Sequence, residues 1–271
     1  MHMRTGFLAM STLVLALAAC STPEANSTGD RATSSSPSAA VTAAAPSTPA
    51  IAVPAEVKLG TVTDIVAAGW LAGIPRPSFP SGPQGKVAVV ASGPVTVRPT
   101  KTSIVPIVVR NSTQKAVTNV EVTGAAMDAT GKILGSAHSL IFSPTTAPSG
   151  GVAFGFVYFD PMIPEDAKID FTVVSKSAAG GLNAQDLTVE QANVVGDSIT
   201  GKATNKHAYA VKGSFTVNVT CFDEAGALLT SEIGFASPTA SVAPGDSVTC
   251  QVDLHGTPCP SSLVGVSGSQ Y

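Results

Sequence analysis

The chain has 271 residues, of which 44% are hydrophobic, 12% charged and 5% aromatic, and a formal charge of −3. So few basic residues, scattered rather than striped, exclude a phosphate-tracking nucleic-acid surface. The length allows one or two domains once the ends are set aside as targeting or linker sequence. Met1 to Arg4 carries one positive charge, and Gly6 to Ala19 is apolar and small. That run is shorter than the roughly 20 residues a membrane-spanning helix needs, so residues 1–19 read as a secretory signal.

Leu17-Ala18-Ala19-Cys20 stands where the apolar run stops and a Ser/Thr/Pro tract begins. It resembles the bacterial lipobox, which implies a diacylglyceryl thioether on Cys20, cleavage before it and a mature protein that starts there. The alternative is an ordinary signal peptide with an incidental cysteine. More than one acyl chain makes anchoring stable where one is marginal. The expected location is therefore the extracytoplasmic face of the cell membrane, with the lipid on Cys20 as the membrane contact.

Residues 20–55 hold Ser, Thr, Pro and Ala and almost no large aliphatics. Such composition cannot offset the entropy of ordering, so a disordered stalk is expected. The pattern then changes to short Val/Ile/Thr/Phe runs broken by Gly, Pro, Asn and Asp. In "FTVNVTCF" Phe215, Val217, Val219 and Cys221 alternate with polar residues, and in "SVTCQVDL" Val248, Cys250, Val252 and Leu254 do the same. This is the period of a half-buried strand. Many such runs at near-regular spacing predict an all-β chain of two tandem antiparallel sandwiches, at 56–182 (with an N-terminal extension) and 183–271.

The tandem reading comes from an internal repeat. Asn111 opens "NSTQKAVTNVEVTGAAMDATGKIL" and Asn205 opens "NKHAYAVKGSFTVNVTCFDEAGALL". Each has an Asn-led loop, a strand, an Asp-x-x-Gly turn and a second strand. In that turn Asp can bond the turn amides and Gly can take positive φ. These features resemble the FxLyD-type immunoglobulin-like modules of bacterial lipoproteins. The second copy carries the pattern in Val219, Cys221, Phe222, Asp223, Gly226, Pro244 and Gly245. The first has Met127 in place of the aromatic and Pro148-Ser149-Gly150 in place of Pro-Gly. The resemblance implies immunoglobulin-like sandwiches over most of residues 100–271 and assigns no activity.

Residues 56–85 match neither copy and contain the chain's one tryptophan. Trp70, Arg76 and Phe79 there form a candidate binding surface, as do the loops at Asn111 and Asn205, because Trp and Arg are favoured in recognition and sandwiches bind through edges and end loops. The competing reading, and the preferred one, is that Trp70 caps an open end of the first sandwich.

Chemistry is sparse. There is no Gly-x-Ser-x-Gly elbow, phosphate loop or dinucleotide fingerprint. His138, His207 and His255 stand alone, and Asp160, Glu165, Asp166 and Asp170 lack the ladder of a calcium loop. No metal, cofactor or catalytic residue is assigned. Export makes the cysteines a disulfide question. The end-of-strand position of Cys221 favours a bond to Cys259 in the loop that follows the strand ending at Leu254, with Cys221–Cys250 between sheets as the alternative. In the first copy that alternative sets Ala126 against Phe154.

Together these features predict a non-enzymatic, lipid-anchored envelope protein that binds or organises an unidentified envelope protein or polymer. A secreted hydrolase or redox enzyme, its site assembled only in three dimensions, is the rival. A deep pocket that collects His138 or His207 with carboxylates would favour it.

Overall fold

In a computed structural model the alternating runs become strands, and no α-helix occurs among the described residues, 69–73, 77–178 and 184–269. All of these lie in one compact unit, Val53–Tyr271. The signal segment, the stalk, Cys20 and Arg76 fall outside them. The N-terminal module contains β2 (Val87–Ser92), β3 (Thr96–Val97), β4 (Ser103–Asn111), β5 (Val117–Met127), β6 (Ile133–Ser143), β7 (Thr146–Ala147), β8 (Val152–Phe159) and β9 (Lys168–Ser177). The C-terminal module contains β10 (Ala184–Val195), β11 (Ser198–Thr204), β12 (Lys212–Phe222), β13 (Leu228–Ser237), β14 (Ser247–Asp253) and β15 (Ser261–Ser269). A short strand, β1 (Trp70–Ala72), precedes both.

Each module is a sandwich closed like a barrel, because certain strands change partner along their length. β6 pairs with β5 as far as His138 and with β8 from Ser139. β10 pairs with β15 as far as Leu187 and with β11 from Thr188. Each interior is lined by the period-2 residues. Phe215, Val217, Val219 and Cys221 are fully buried in one core, and Val105, Ile107, Val109 and Val157 are buried in the other.

The duplication is visible bond by bond. Asn111 Nδ2 donates to the carbonyls of Lys115, Ala147 and Pro148, and Asn205 Nδ2 to those of Tyr209 and Val242. Their Oδ1 atoms accept from Thr113 N–H and His207 N–H respectively. Asp128 Oδ1 accepts from the amides of Thr130 and Lys132, and Asp223 Oδ1 from those of Ala225 and Ala227. Gly131 and Gly226 complete the two turns at φ 85 and 84, where a Cβ would be strained.

A buried seam joins the modules. The outer side of β4 and β8 contributes Val108, Val152 and Phe154; the other module contributes Phe222, Leu228 and Leu263; Phe79 is wedged between them. Phe154 meets Phe79 and Phe222 edge-on at centroid distances of 5.5 and 5.9 Å, the arrangement that ring quadrupoles favour. Asn218 Nδ2 donates to Phe154 O across the seam. Arg98, from the β3–β4 turn, ion-pairs with Glu232 of β13, whose side chain is 4% exposed. Glu232 is the cross-strand partner of Val219 and so shares its core-facing side. A guanidinium of one module thus neutralises a carboxylate inside the other.

The extension differs from expectation. Trp70 does not cap the first sandwich: β1 adds to the edge of β15 in the C-terminal module, with Trp70 opposite Val264. Close approach of the two backbones permits this only at glycine, since a Cβ on Gly69 would lie 2.4 Å from Val264 O. Residues 77–80 do dock on the N-terminal module, where buried Arg110 donates to the carbonyls of Phe79, Pro80 and Gly150.

Candidate functional site

The described extension, the N-terminal module and the C-terminal module meet around one cavity of about 360 Å³. It arises from the sheet pattern. On one edge of β15, β1 covers Ser262 to Val264 and β10 takes over at Val266, which leaves Gly265 at the junction. Trp70 and Leu187 border this gap from its two sides, while Ser143 and Pro144 close it from the end of β6. The remaining wall is β10 at the point where it crosses between layers, bringing Asp186, Thr188 and Val189 to the lining.

Asp186 is the charged group of the site. Its carboxylate accepts from the Thr145 amide at 3.0 and 3.1 Å and from Thr145 Oγ1 at 3.0 Å. Burial pushes its pKa above the usual range, against the opposing pull of the Thr145 bonds and the nearby His207. The Asn205 loop supports this strand from behind. His207 Nε2 lies 2.9 Å from Asp186 O, the ring stacks on Tyr209, and Tyr209 Oη donates to Gln185 Oε1. Trp70 stays 39% exposed and Thr188 exposed beside the cavity. The polar residues at this cavity are Ser143, Asp186 and Thr188, whereas Leu187, Val189 and Val266 belong to the buried C-terminal core.

A second concavity of about 520 Å³ lies at one end of the N-terminal module between Gln84, the loop after Asn111 and the end of β9. Much of its polarity is spent internally: Ser112 Oγ donates to Ser81 O, and Thr113 Oγ1 bonds Asn111 Oδ1.

The sequence-derived candidates separate. Trp70 lines the junction cavity. Phe79 is buried in the seam, so it is not a binding surface. Asn111 and Asn205 are also buried, each tying its loop to the next hairpin, which corrects their assignment as contact residues. Arg76 and Cys20 lie outside the described residues. Cys221 and Cys259 form the favoured disulfide, with Cα atoms 5.1 Å apart. Cys250 is free and half-buried, and burial raises its thiol pKa. Its counterpart in the first copy is Gly155, not Phe154, because Gly150 and Gly245 occupy the same bonded turn position.

Other charges belong to local structure. Glu232 is held above the usual carboxylate pKa by burial, with Arg98 and then His255 opposing. Glu190 is lowered to about 2 by hydrogen bonds from Lys206, Thr204 and Lys202. His138 is exposed beside Glu121 and Thr123, and neither His138 nor His207 is in the cavity lining. Asp186, Thr188 and Ser143 escaped sequence reading because nothing in their spacing links them to Trp70. Only the crossing of β10 between layers brings them together. No protein-family profile and no curated protein matches the chain.

Proposed function

We propose that this chain is a non-enzymatic binding protein of the bacterial envelope, anchored through a lipid on Cys20 at the extracytoplasmic face of the cell membrane. Its two modules are read as FxLyD-type immunoglobulin-like sandwiches that contact an envelope polymer or protein at their junction. The observation that carries this reading is the junction cavity. Three separate parts of the chain converge on one concave site bordered by Trp70, Ser143 and Asp186. The matching bond sets around Asn111 and Asn205 support the module assignment. The Cys221–Cys259 disulfide suits an exported protein.

Metabolic labelling with an acyl-chain probe tests the anchor: Cys20→Ser should abolish labelling and release the protein from membranes, and unchanged labelling would refute the lipobox. Crosslinking of native protein in the envelope tests the binding role. Recovery of an envelope polymer or protein is expected; repeated recovery of neither counts against it.

A further inference from the structure

We propose that the edge of β9 pairs with β9 of a second copy of this chain, antiparallel about a two-fold axis at Ile169, so that each Lys168 lies opposite Asp170 of the other copy. The pairing uses none of the residues around the junction cavity.

Counting back from the repeated Asp-x-x-Gly turn aligns the two modules. Met127 opposes Lys168 and Phe222 opposes Ser261, so Ile169, Asp170 and Phe171 are the counterparts of Ser262, Leu263 and Val264. In the C-terminal module those three residues receive β1, which pairs with them antiparallel. Ser262 and Val264 are then 2% and 0% exposed, whereas Ile169 and Phe171 are only half-buried against the N-terminal core. β2 does not fill the vacant place. Ala88 pairs with Arg110 as Thr188 pairs with Thr204, each one residue before the repeated Asn, so β2 holds only the part of β10 that has already left β15. Among the described residues nothing but β5 bonds β9. An unpaired edge of this kind is a template for a further strand.

The residue pattern selects the occupant. In β9 Ile169, Phe171 and Val173 pack against the core, and Lys168, Asp170 and Thr172 are exposed. Directly opposed residues of an antiparallel pair share a face. With Ile169 opposite itself, Lys168 meets Asp170 twice on the exposed face. On the inner face Ala167 meets Phe171 twice, and both already pack against the N-terminal core. Asp166 falls opposite Thr172, so no like charges are directly opposed. Moving the axis to Asp170 would set two carboxylates together, and moving it to Phe171 would leave the charges opposite Thr172 and Val174. Charge thus selects both the partner and its register. An edge of this length makes an interface at the small, transient end of the range, so association is expected at high protein concentration.

Charges on an edge strand also serve to deter pairing, and the two roles predict effects of opposite sign. The full chain carrying Cys20→Ser and Cys250→Ser, which leaves no cysteine outside the disulfide, is followed by sedimentation at increasing concentration. A monomer–dimer equilibrium is expected. Lys168→Asp should weaken dimerisation about tenfold, because two attractive pairs become repulsive, and Asp170→Lys should do the same. Lys168→Asp combined with Asp170→Lys should restore it, and an equal mixture of the two single variants should form heterodimers. Ile169→Cys fixes the register. Opposite itself at a Cα separation of about 4.5–5.5 Å, it should form an intermolecular disulfide under mild oxidation, whereas Thr172→Cys, displaced from the axis, should not. Thermal melts confirm that each variant folds. A monomer at all concentrations would overturn the proposal and leave the edge to an unlike strand. Tighter association of either single reversal, the mark of guarding charges, would also overturn it, as would a folded double reversal that stays monomeric or equal crosslinking at positions 169 and 172.

Discussion

β9 and β15 are the same strand in the two copies, yet they differ in almost every respect that burial controls. β9 alternates exposed and half-buried residues, carries Lys168, Asp170 and Lys176, and among the described residues pairs with β5 alone. β15 is uncharged and small ("SSLVGVSGS"), buried on both faces, and paired with β12 on one edge and with β1 and β10 on the other. The repeated fold sets which residues look inward; the neighbour on the outer face sets everything else. The loops ahead of these strands diverge too: in the N-terminal module Ile163 fills the core, whereas in the C-terminal module Cys259 bonds Cys221.

This contrast can be broken at several points. Reduction, or Cys259→Ser, should remove the largest share of stability, since a bond spanning 38 residues contributes about 4 kcal/mol through the unfolded chain. Urea unfolding with and without reductant measures it. Phe222→Ala should cost about 3–4 kcal/mol because it empties the fully buried centre of the seam. Its counterpart Met127→Ala, on a half-buried outer position, should cost about 1 kcal/mol. Equal losses in the two variants would mean that the seam adds nothing to the burial of Phe222.

Arg98→Ala should cost about 3 kcal/mol by leaving Glu232 buried without its cation, and should loosen the modules, as seen by faster hydrogen exchange along β13. The smallest effect is the pH dependence. The folded pKa of Glu232 is raised from 4.5. The protonated form is thus the one the fold prefers, and its contribution is complete below 4.5 and lost as pH climbs through the raised value. Glu190 acts oppositely, adding stability above 4.5 that disappears as pH falls towards about 2. Thermal melts across this range should show Glu232→Gln with a flatter decline above pH 4.5 than the unmodified chain; parallel curves would exclude Glu232 as the source.

Much of this architecture was legible in the residues. The alternation of Phe215, Val217, Val219 and Cys221 announced β12, and the two Asp-x-x-Gly turns announced the repeat. What alternation could not convey is that the polar side of β12 is also buried. Asn218 and Thr220 look like solvent-facing residues until the N-terminal module packs on this side of the sheet, where Asn218 donates to Phe154 O and Thr220 meets Ser231. The destination of Trp70 was equally hidden, because edge addition depends on backbone hydrogen bonds that any sequence can make, and Gly69 was its sole local sign. The cavity escaped for the same reason: its walls are far apart in the chain and meet only where the edge of β15 passes from β1 to β10.

The seam has a consequence for assembly. It joins unlike faces, the β4–β8 side of one module to the β12–β15 side of its twin, so the contact is heterologous and could in principle propagate head to tail into a filament. Each module still bears the face its twin has used, but those two faces no longer match. Opposite Val108 and Phe154 in the repeat stand Lys202 and Thr249, themselves a cross-strand pair. Opposite Leu263 and Ser261 stand Asp170 and Lys168. Charge on both of these faces opposes a repeat of the apolar contact that joins the two modules.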